Sequence, residues 1–122
     1  MNILVLGSGG REHALCAKIK KSNLVKKLWC YPGNAGTEKI CNKTKLKTFS
    51  FEEILDFCKK NKVDLVIPGS EEFLASGITD FLSIENISVL GPSKFSSKLE
   101  TSKEFTKKIC HLSNIRTAKW IL

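Results

Sequence analysis

The sequence predicts an α/β protein built on a doubly wound, mostly parallel sheet, and three features carry that expectation. Short, continuous apolar runs recur along the chain, as strands buried on both faces require. Between them lie stretches whose apolar residues have helical spacing. Most strand-like runs stop at a turn rich in glycine or proline. Such alternation calls for right-handed crossovers with helices on both faces of the sheet.

The first strand is Asn2 to Leu6, closed by Gly7-Ser8-Gly9-Gly10, and from Arg11 to Lys21 the residues Ala14, Leu15, Cys16 and Ile19 mark an amphipathic helix. Val25 to Tyr31 reads as the second strand, ended by the turn formers of Pro32-Gly33-Asn34-Ala35-Gly36. Residues 39–48 are basic and weakly patterned, a loop with a short strand near Lys47 to Phe49. The next helix is clearer: Ser50 and Glu53 make a capping box, and Phe51, Ile54, Leu55 and Cys58 fall at i, i+3, i+4 and i+7. Val63 to Ile67 is a buried strand ended by Pro68-Gly69. Leu74, Ile78, Phe81 and Leu82 then mark a third helix, and Ile87 to Leu90 one more strand, cut by Gly91-Pro92. Beyond it, Thr101 to Glu104 forms a second capping-box pattern ahead of Phe105, Ile109 and Leu112. Thr117 to Leu122 reads as a strand that has just begun, and because proteins avoid such unpaired edges the expectation is a longer polypeptide.

Composition narrows the class. A chain of 122 residues with 42% apolar and 26% charged residues suits one folded, soluble domain. No run approaches the roughly 18–20 apolar residues of a membrane span, and no secretory leader pattern follows Met1, so a cytoplasmic location and no membrane partner are expected. The five cysteines are odd in number, widely spaced and without a C-x-x-C pair, which points to reduced thiols filling the core rather than disulfides or zinc. The net charge of +8 is spread along the chain without aromatic interleaving, so it reads as a solvated exterior and no nucleic-acid partner is expected.

In a doubly wound sheet ligands sit beyond the carboxyl ends of the strands, so the turns carry the candidate chemistry. In Gly7-Ser8-Gly9-Gly10-Arg11-Glu12-His13-Ala14, glycines let backbone N–H groups approach an anion at a helix N-terminus, and Arg11 adds a cation able to grip phosphate. The dinucleotide fingerprint G-x-G-x-x-G fails because position 12 is Glu12, and Trp29-Cys30-Tyr31 ends the second strand without an acid for ribose. In the second turn Asn34 can donate and accept hydrogen bonds, or the segment is simply a tight surface loop. In the third, Glu71 and Glu72 could receive an amine or ribose hydroxyls, or merely favour a helix N-terminus. His13 receives no catalytic role, and neither a catalytic triad nor metal-site spacing is evident.

Taken together these turns resemble the phosphoribosylamine–glycine ligase family. The resemblance rests on Gly7-x-Gly9-Gly10-Arg11-Glu12-His13-Ala14, Pro32-Gly33-Asn34-Ala35-Gly36-Thr37, Gly69-x-Glu71, Gly91-Pro92 and Leu99-Glu100-x-Ser102-Lys103-x-Phe105-x-Lys107, in that order, and spans the chain. It implies a Rossmann-like pre-ATP-grasp domain over residues 1–100 and the start of an ATP-grasp region over residues 101–122. The implied reaction joins glycine to phosphoribosylamine with ATP and Mg²⁺ (or Mn²⁺), most of whose ligands would lie in the remaining ATP-grasp domains of the same polypeptide. Carried over by position, Gly9, Gly10 and Arg11 would contact the phosphoribosyl substrate, Asn34 and Gly36 would border it, Glu71 would bind ribose or amine, and Lys103 would reach the ATP phosphates. No residue of this chain is expected to be catalytic or to ligate metal. Two stretches depart from the family pattern: Gly69-Ser70-Glu71-Glu72-Phe73-Leu74 has no proline where the family has two, and Thr101 replaces a glycine. The competing readings are a stand-alone, non-catalytic module binding a phosphate or nucleotide ligand, and the equivalent domain of another ATP-grasp enzyme, against which Arg11-Glu12-His13 and the Asn34 loop speak.

Overall fold

The computed structural model describes residues 1–121. Its centre is a parallel sheet of β1 (Asn2–Gly7), β2 (Lys27–Pro32) and β3 (Leu65–Pro68), in the order β2-β1-β3. The register pairs Leu4 with Trp29 on one side and with Val66 on the other. Because successive side chains of a strand point to opposite faces, this register sorts the apolar residues into two sets. Leu4, Leu6, Trp29, Tyr31 and Val66 share one face, and Ile3, Val5, Leu28, Cys30 and Ile67 the other.

Both faces are covered. Helix α1 (Gly10–Ile19) supplies Cys16 and Ile19 to the second face. Helix α3 (Phe51–Asn61) supplies the fully buried Ile54 and Cys58 to the first, joined there by Phe73 of α4 (Glu71–Ser76) and by Ile78 and Leu82 of α5 (Ile78–Ile84). The doubly wound α/β arrangement expected from the sequence is thus present. A one-turn helix, α2 (Ala35–Glu38), occupies what the sequence presents as an open turn after β2. Helices α6 (Lys98–Thr101) and α7 (Lys103–Leu112) complete the described elements.

Several expectations are corrected. No strand forms at residues 47–49; Glu53 instead bends away from its own helix and accepts hydrogen bonds from the Lys47 and Thr48 amides at 2.8 and 3.0 Å. The capping box at Ser50 is therefore half-formed: Ser50 Oγ accepts from the Glu53 amide, but the Glu53 carboxylate holds the preceding loop. The outer edge of β2 is covered by a single parallel bridge from Asn42 to Trp29. Likewise, Ile87 to Leu90 contributes one bridge, Val89 to Val66, rather than a full strand. The single helix expected through Leu74 and Leu82 is two helices, broken at Gly77, whose φ of 98° is a left-handed conformation that ends α4 and starts α5. The second cap belongs to Ser102, which accepts from the Phe105 amide, and not to Thr101, which closes α6. Residues 117–121 form no strand, and Leu122, the last residue of that expectation, lies outside the described residues.

Gly77 supplies the first prediction. Gly77→Ala places a Cβ on a left-handed residue, 3.2 Å from the Lys94 side chain. It should lower the unfolding free energy by about 1–2 kcal/mol in urea titrations; no loss would show that the break does not depend on glycine.

Candidate functional site

Around β1 the chain connections diverge. Helix α1 leads from β1 towards β2 on one side, whereas the path after β3 runs outward to the Val89 bridge on the other. The carboxyl ends of β1 and β3 therefore form the switch point at which open α/β sheets bind ligands. The turns that meet there are Gly7 to Gly10 and Gly69 to Glu71.

Glu12 organises that meeting. Its side chain folds back from the first turn of α1, where Oε2 accepts the Gly9 N–H at 2.6 Å, and the residue is only 3% exposed. Its other oxygen, Oε1, is buried without a hydrogen-bond partner among the described residues. Three glycines make room for the carboxyl group. A Cβ at Gly69 would lie 2.4 Å from Oε1, one at Gly7 2.7 Å from Cγ, and one at Gly9 2.9 Å from Oε2. Gly10 is different, since a Cβ there would meet nothing within 4 Å. The sequence offers Gly9 as a free donor for an anion, but the structure commits that N–H to Glu12. The departure from G-x-G-x-x-G at position 12 was the signal for this role.

The second turn is tied to the first by Asn34. Its Oδ1 caps α2, accepting from the Gly36 and Thr37 amides at 2.9 and 3.0 Å, while Nδ2 donates to the carbonyls of Ser8 and Gly9 at 2.8 and 3.2 Å. Thr37, almost fully buried, completes the cap by accepting from the Asn34 amide at 2.8 Å and donating to the Asn34 carbonyl at 2.9 Å. Gly36 leaves space for the imidazole of His13, whose Cε1 would stand 2.5 Å from a Cβ there. His13 thus packs on the second turn.

Across the switch point Arg11 donates to Glu71 Oε1 at 2.7 Å, and its second terminal nitrogen lies 3.7 Å from Glu100 Oε1 at the end of α6. Both members of the pair are exposed, so the contact is open to exchange with a charged ligand. The Glu71 carboxyl is held below its ordinary range by its own backbone N–H and then by Arg11, and the Arg11 guanidinium is raised chiefly by its hydrogen bond to Glu71. The structure therefore gathers Gly9, Gly10, Arg11, Asn34, Gly36 and Glu71 around one set of turns. Lys103 stands apart at the start of α7, exposed and without an ion-pair partner among the described residues. A separate concavity of about 290 Å³ lies against the outer edge of β2, away from the Arg11–Glu71 pair.

Two tests follow from this geometry. Gly69→Ala should cost about 1–3 kcal/mol of stability through overpacking against Glu12. Combined with Glu12→Ala it should cost much less, a coupling of about 0.5–3 kcal/mol in a double-mutant cycle, and strict additivity would show that the two residues do not contend for the same space. For Glu71, a depressed folded-state pKa means that its contribution is present above the ordinary carboxylate range and is lost as pH falls through the depressed value. A carboxyl-carbon NMR titration should accordingly place its midpoint below that of an unperturbed glutamate. Arg11→Ala should return it only part of the way, because the backbone N–H remains; a full return, or none, would misassign the cause.

Comparison with known proteins identifies the family and the fold. Residues 1–100 match the family model described as phosphoribosylglycinamide synthetase, N domain. The chain is 48% identical over 120 residues to a phosphoribosylamine–glycine ligase of Mesorhizobium japonicum, which covers 98% of this chain and 28% of that protein. The crystal structure of phosphoribosylamine–glycine ligase from Thermotoga maritima superposes with a TM-score of 0.65 at 32% identity, over 98% of this chain and 26% of that one. Urea amidolyase of K. lactis shares the fold at a TM-score of 0.63 and 16% identity. The chain thus spans little more than a quarter of the ligases it matches. With the family model covering most of its length and the fold reproduced, the chain belongs to the phosphoribosylglycinamide synthetase N-domain family.

Proposed function

We propose that this chain is the substrate-binding part of an ATP-dependent ligase that joins glycine to phosphoribosylamine, giving glycinamide ribonucleotide, ADP and phosphate in purine biosynthesis. The observation that carries this reading is the Arg11–Glu71 pair across the switch point, set beside Gly10, whose lack of a side chain no packing contact among the described residues requires. A cation, a carboxylate and bare backbone at one crevice are what a sugar phosphate bearing an amine needs. Residues 1–100 are the pre-ATP-grasp domain and residues 101–122 open the ATP-grasp region of the same polypeptide, in keeping with the extent of the family match.

In this reading Arg11 exchanges Glu71 for the substrate phosphate, and the released Glu71 carboxylate receives the ribose hydroxyls or the amine. Gly9 and Gly10 let the sugar approach the turn, while Asn34 and Gly36 border it by fixing the second turn against the first. Glycine is activated as an acyl phosphate, with ATP as phosphoryl donor, and the amine attacks the activated carbonyl. This chain contributes positioning and charge stabilisation, with no covalent protein nucleophile. Lys103, exposed at the start of a helix and lacking a carboxylate partner among the described residues, fits a role in reaching the ATP phosphates. No group of three potential metal ligands converges among the described residues. By family resemblance the carboxylates that hold Mg²⁺ are assigned to the rest of the polypeptide, and the whole to the cytoplasm. No helix among the described residues is long and apolar enough to cross a membrane.

In the full-length ligase, Glu71→Ala should raise KM for phosphoribosylamine about tenfold, a loss of about 1.4 kcal/mol of binding, with a smaller effect on kcat. An unchanged KM would remove Glu71 from the site. The isolated 122 residues should form no glycinamide ribonucleotide when supplied with ATP, glycine and phosphoribosylamine, and product formation would overturn that assignment.

A further inference from the structure

The lysines that read along the chain as a scattered exterior do not all stay apart in the fold. Lys43 and Lys45, on the segment between α2 and α3, and Lys60, in the last turn of α3, stand around one concavity of about 220 Å³. Its other lining residues are Trp29, Phe57 and Asn61. Trp29 is only 5% exposed, and Phe57 meets its indole edge to face, with ring centroids 5.4 Å apart. A further ammonium group, that of Lys27, lies 6.0 Å from the centre of the Trp29 ring. The concavity therefore has aromatic walls and a basic rim. It lies towards the opposite end of the sheet from the crevice: the Asn61 carbonyl accepts from the side chain of Asn2, the first residue of β1, whereas the turns of the crevice follow the strands' last residues.

Among the described residues nothing neutralises this rim. None of the lining residues is acidic, and the lysine–carboxylate pairs of the described residues belong to Lys59 and Lys108. Carbonyls at the end of α3 already have donors, Phe57 from Asn61 Nδ2 and Cys58 from the Val63 amide, each at 2.9 Å. Like charges gathered on one rim repel one another, and a ligand that brings negative charge among them relieves that repulsion. The volume is below the roughly 300–1,000 Å³ of sites for drug-sized ligands. It admits one small flat group and leaves the charge that group carries outside, among the lysines.

We propose that this concavity binds a nucleoside monophosphate, with the base against Trp29 and Phe57 and the phosphate held by Lys43, Lys45 and Lys60. Aromatic walls favour a planar ring over an alkyl chain, because ring pairs add edge-to-face and offset-stacking attraction to the burial of apolar surface. Three lysines suit a phosphate monoester better than a single carboxylate, since the monoester carries about −1.5 to −2 charges at pH 7 and presents several acceptor oxygens. Lysine meets such a group as a point charge, so the rim needs proximity rather than a fixed fork. No residue of the Arg11–Glu71 crevice takes part, and the inference does not rest on the ligase reading.

The test is to titrate this chain with AMP while following the indole N–H signals by NMR, the two tryptophans, Trp29 and Trp120, being told apart with Trp120→Phe. AMP should move the Trp29 signal saturably and leave that of Trp120 in place. Adenosine, inorganic phosphate and butyl phosphate should each bind at least ~10-fold more weakly, since each lacks one half of what the site recognises. Lys43→Gln and Lys60→Gln, both at exposed positions, should each lower AMP affinity about 3–10-fold, and added salt should weaken it too. Arg11→Ala should leave it unchanged. A Trp29 signal that stays put up to ~10 mM AMP, butyl phosphate binding as well as AMP, or binding lost in Arg11→Ala but kept in Lys60→Gln, would overturn the assignment. Because the first titration uses the unsubstituted chain, it decides the matter even if a variant does not fold.

Discussion

The arrangement of the crevice depends on one buried carboxylate. Burying a polar group is costly unless hydrogen bonds replace its hydration, and Glu12 has one such bond, from the Gly9 amide, with its second oxygen enclosed. Space for it exists only because Gly7 and Gly9 of the first turn and Gly69 of the third lack side chains. Two turns from neighbouring strands are thereby shaped around a single group. Their separation follows, and with it the meeting of Arg11 and Glu71 across the switch point. Glu12 also accounts for the absence of a dinucleotide turn, because it takes the amide that a pyrophosphate would need.

A second layer of fixation comes from polar groups that saturate one another. Both ends of the Asn34 amide are engaged, one capping α2 and the other holding the carbonyls of Ser8 and Gly9. His13 fills the space that Gly36 leaves, so α1 packs against the second turn as well. The turns after all three strands are consequently joined to each other as well as to the sheet. What is left open is the exposed Arg11–Glu71 pair and the bare backbone at Gly10. For the proposed substrate, contact groups carried on turns that are already fixed would lower the ordering cost of binding.

Much of this was legible along the chain, for definite reasons. The strands β1, β2 and β3 are short apolar runs that stop at turn formers, and α3 carries an apolar stripe at helical spacing, so local pattern and global burial agree. Where the expectations failed, a local pattern had two outcomes. The apolar spacing from Leu74 to Leu82 continues across Gly77, but the left-handed backbone there divides the helix. Ser50 and Glu53 have capping-box spacing, yet the Glu53 carboxylate has better-placed donors in Lys47 and Thr48. Thr101 and Ser102 are both competent caps, and the end of α6 at Thr101 selects Ser102.

The sequence by itself determined the α/β class, the three turns and the residues at them, because glycine spacing, apolar periodicity and the order of the motifs are properties of the chain alone. Tertiary structure alone decided what those residues face. Glu12 is 57 residues from Gly69, and Arg11 is 60 from Glu71, yet each pair is in contact. Cys16, Cys30 and Cys41 lie in three different segments and become neighbours only when α1 packs on β2. Burial, clash and hydrogen-bond partnership depend on distances across the sheet. Those are fixed by strand order and register, which bring together residues that no local pattern connects.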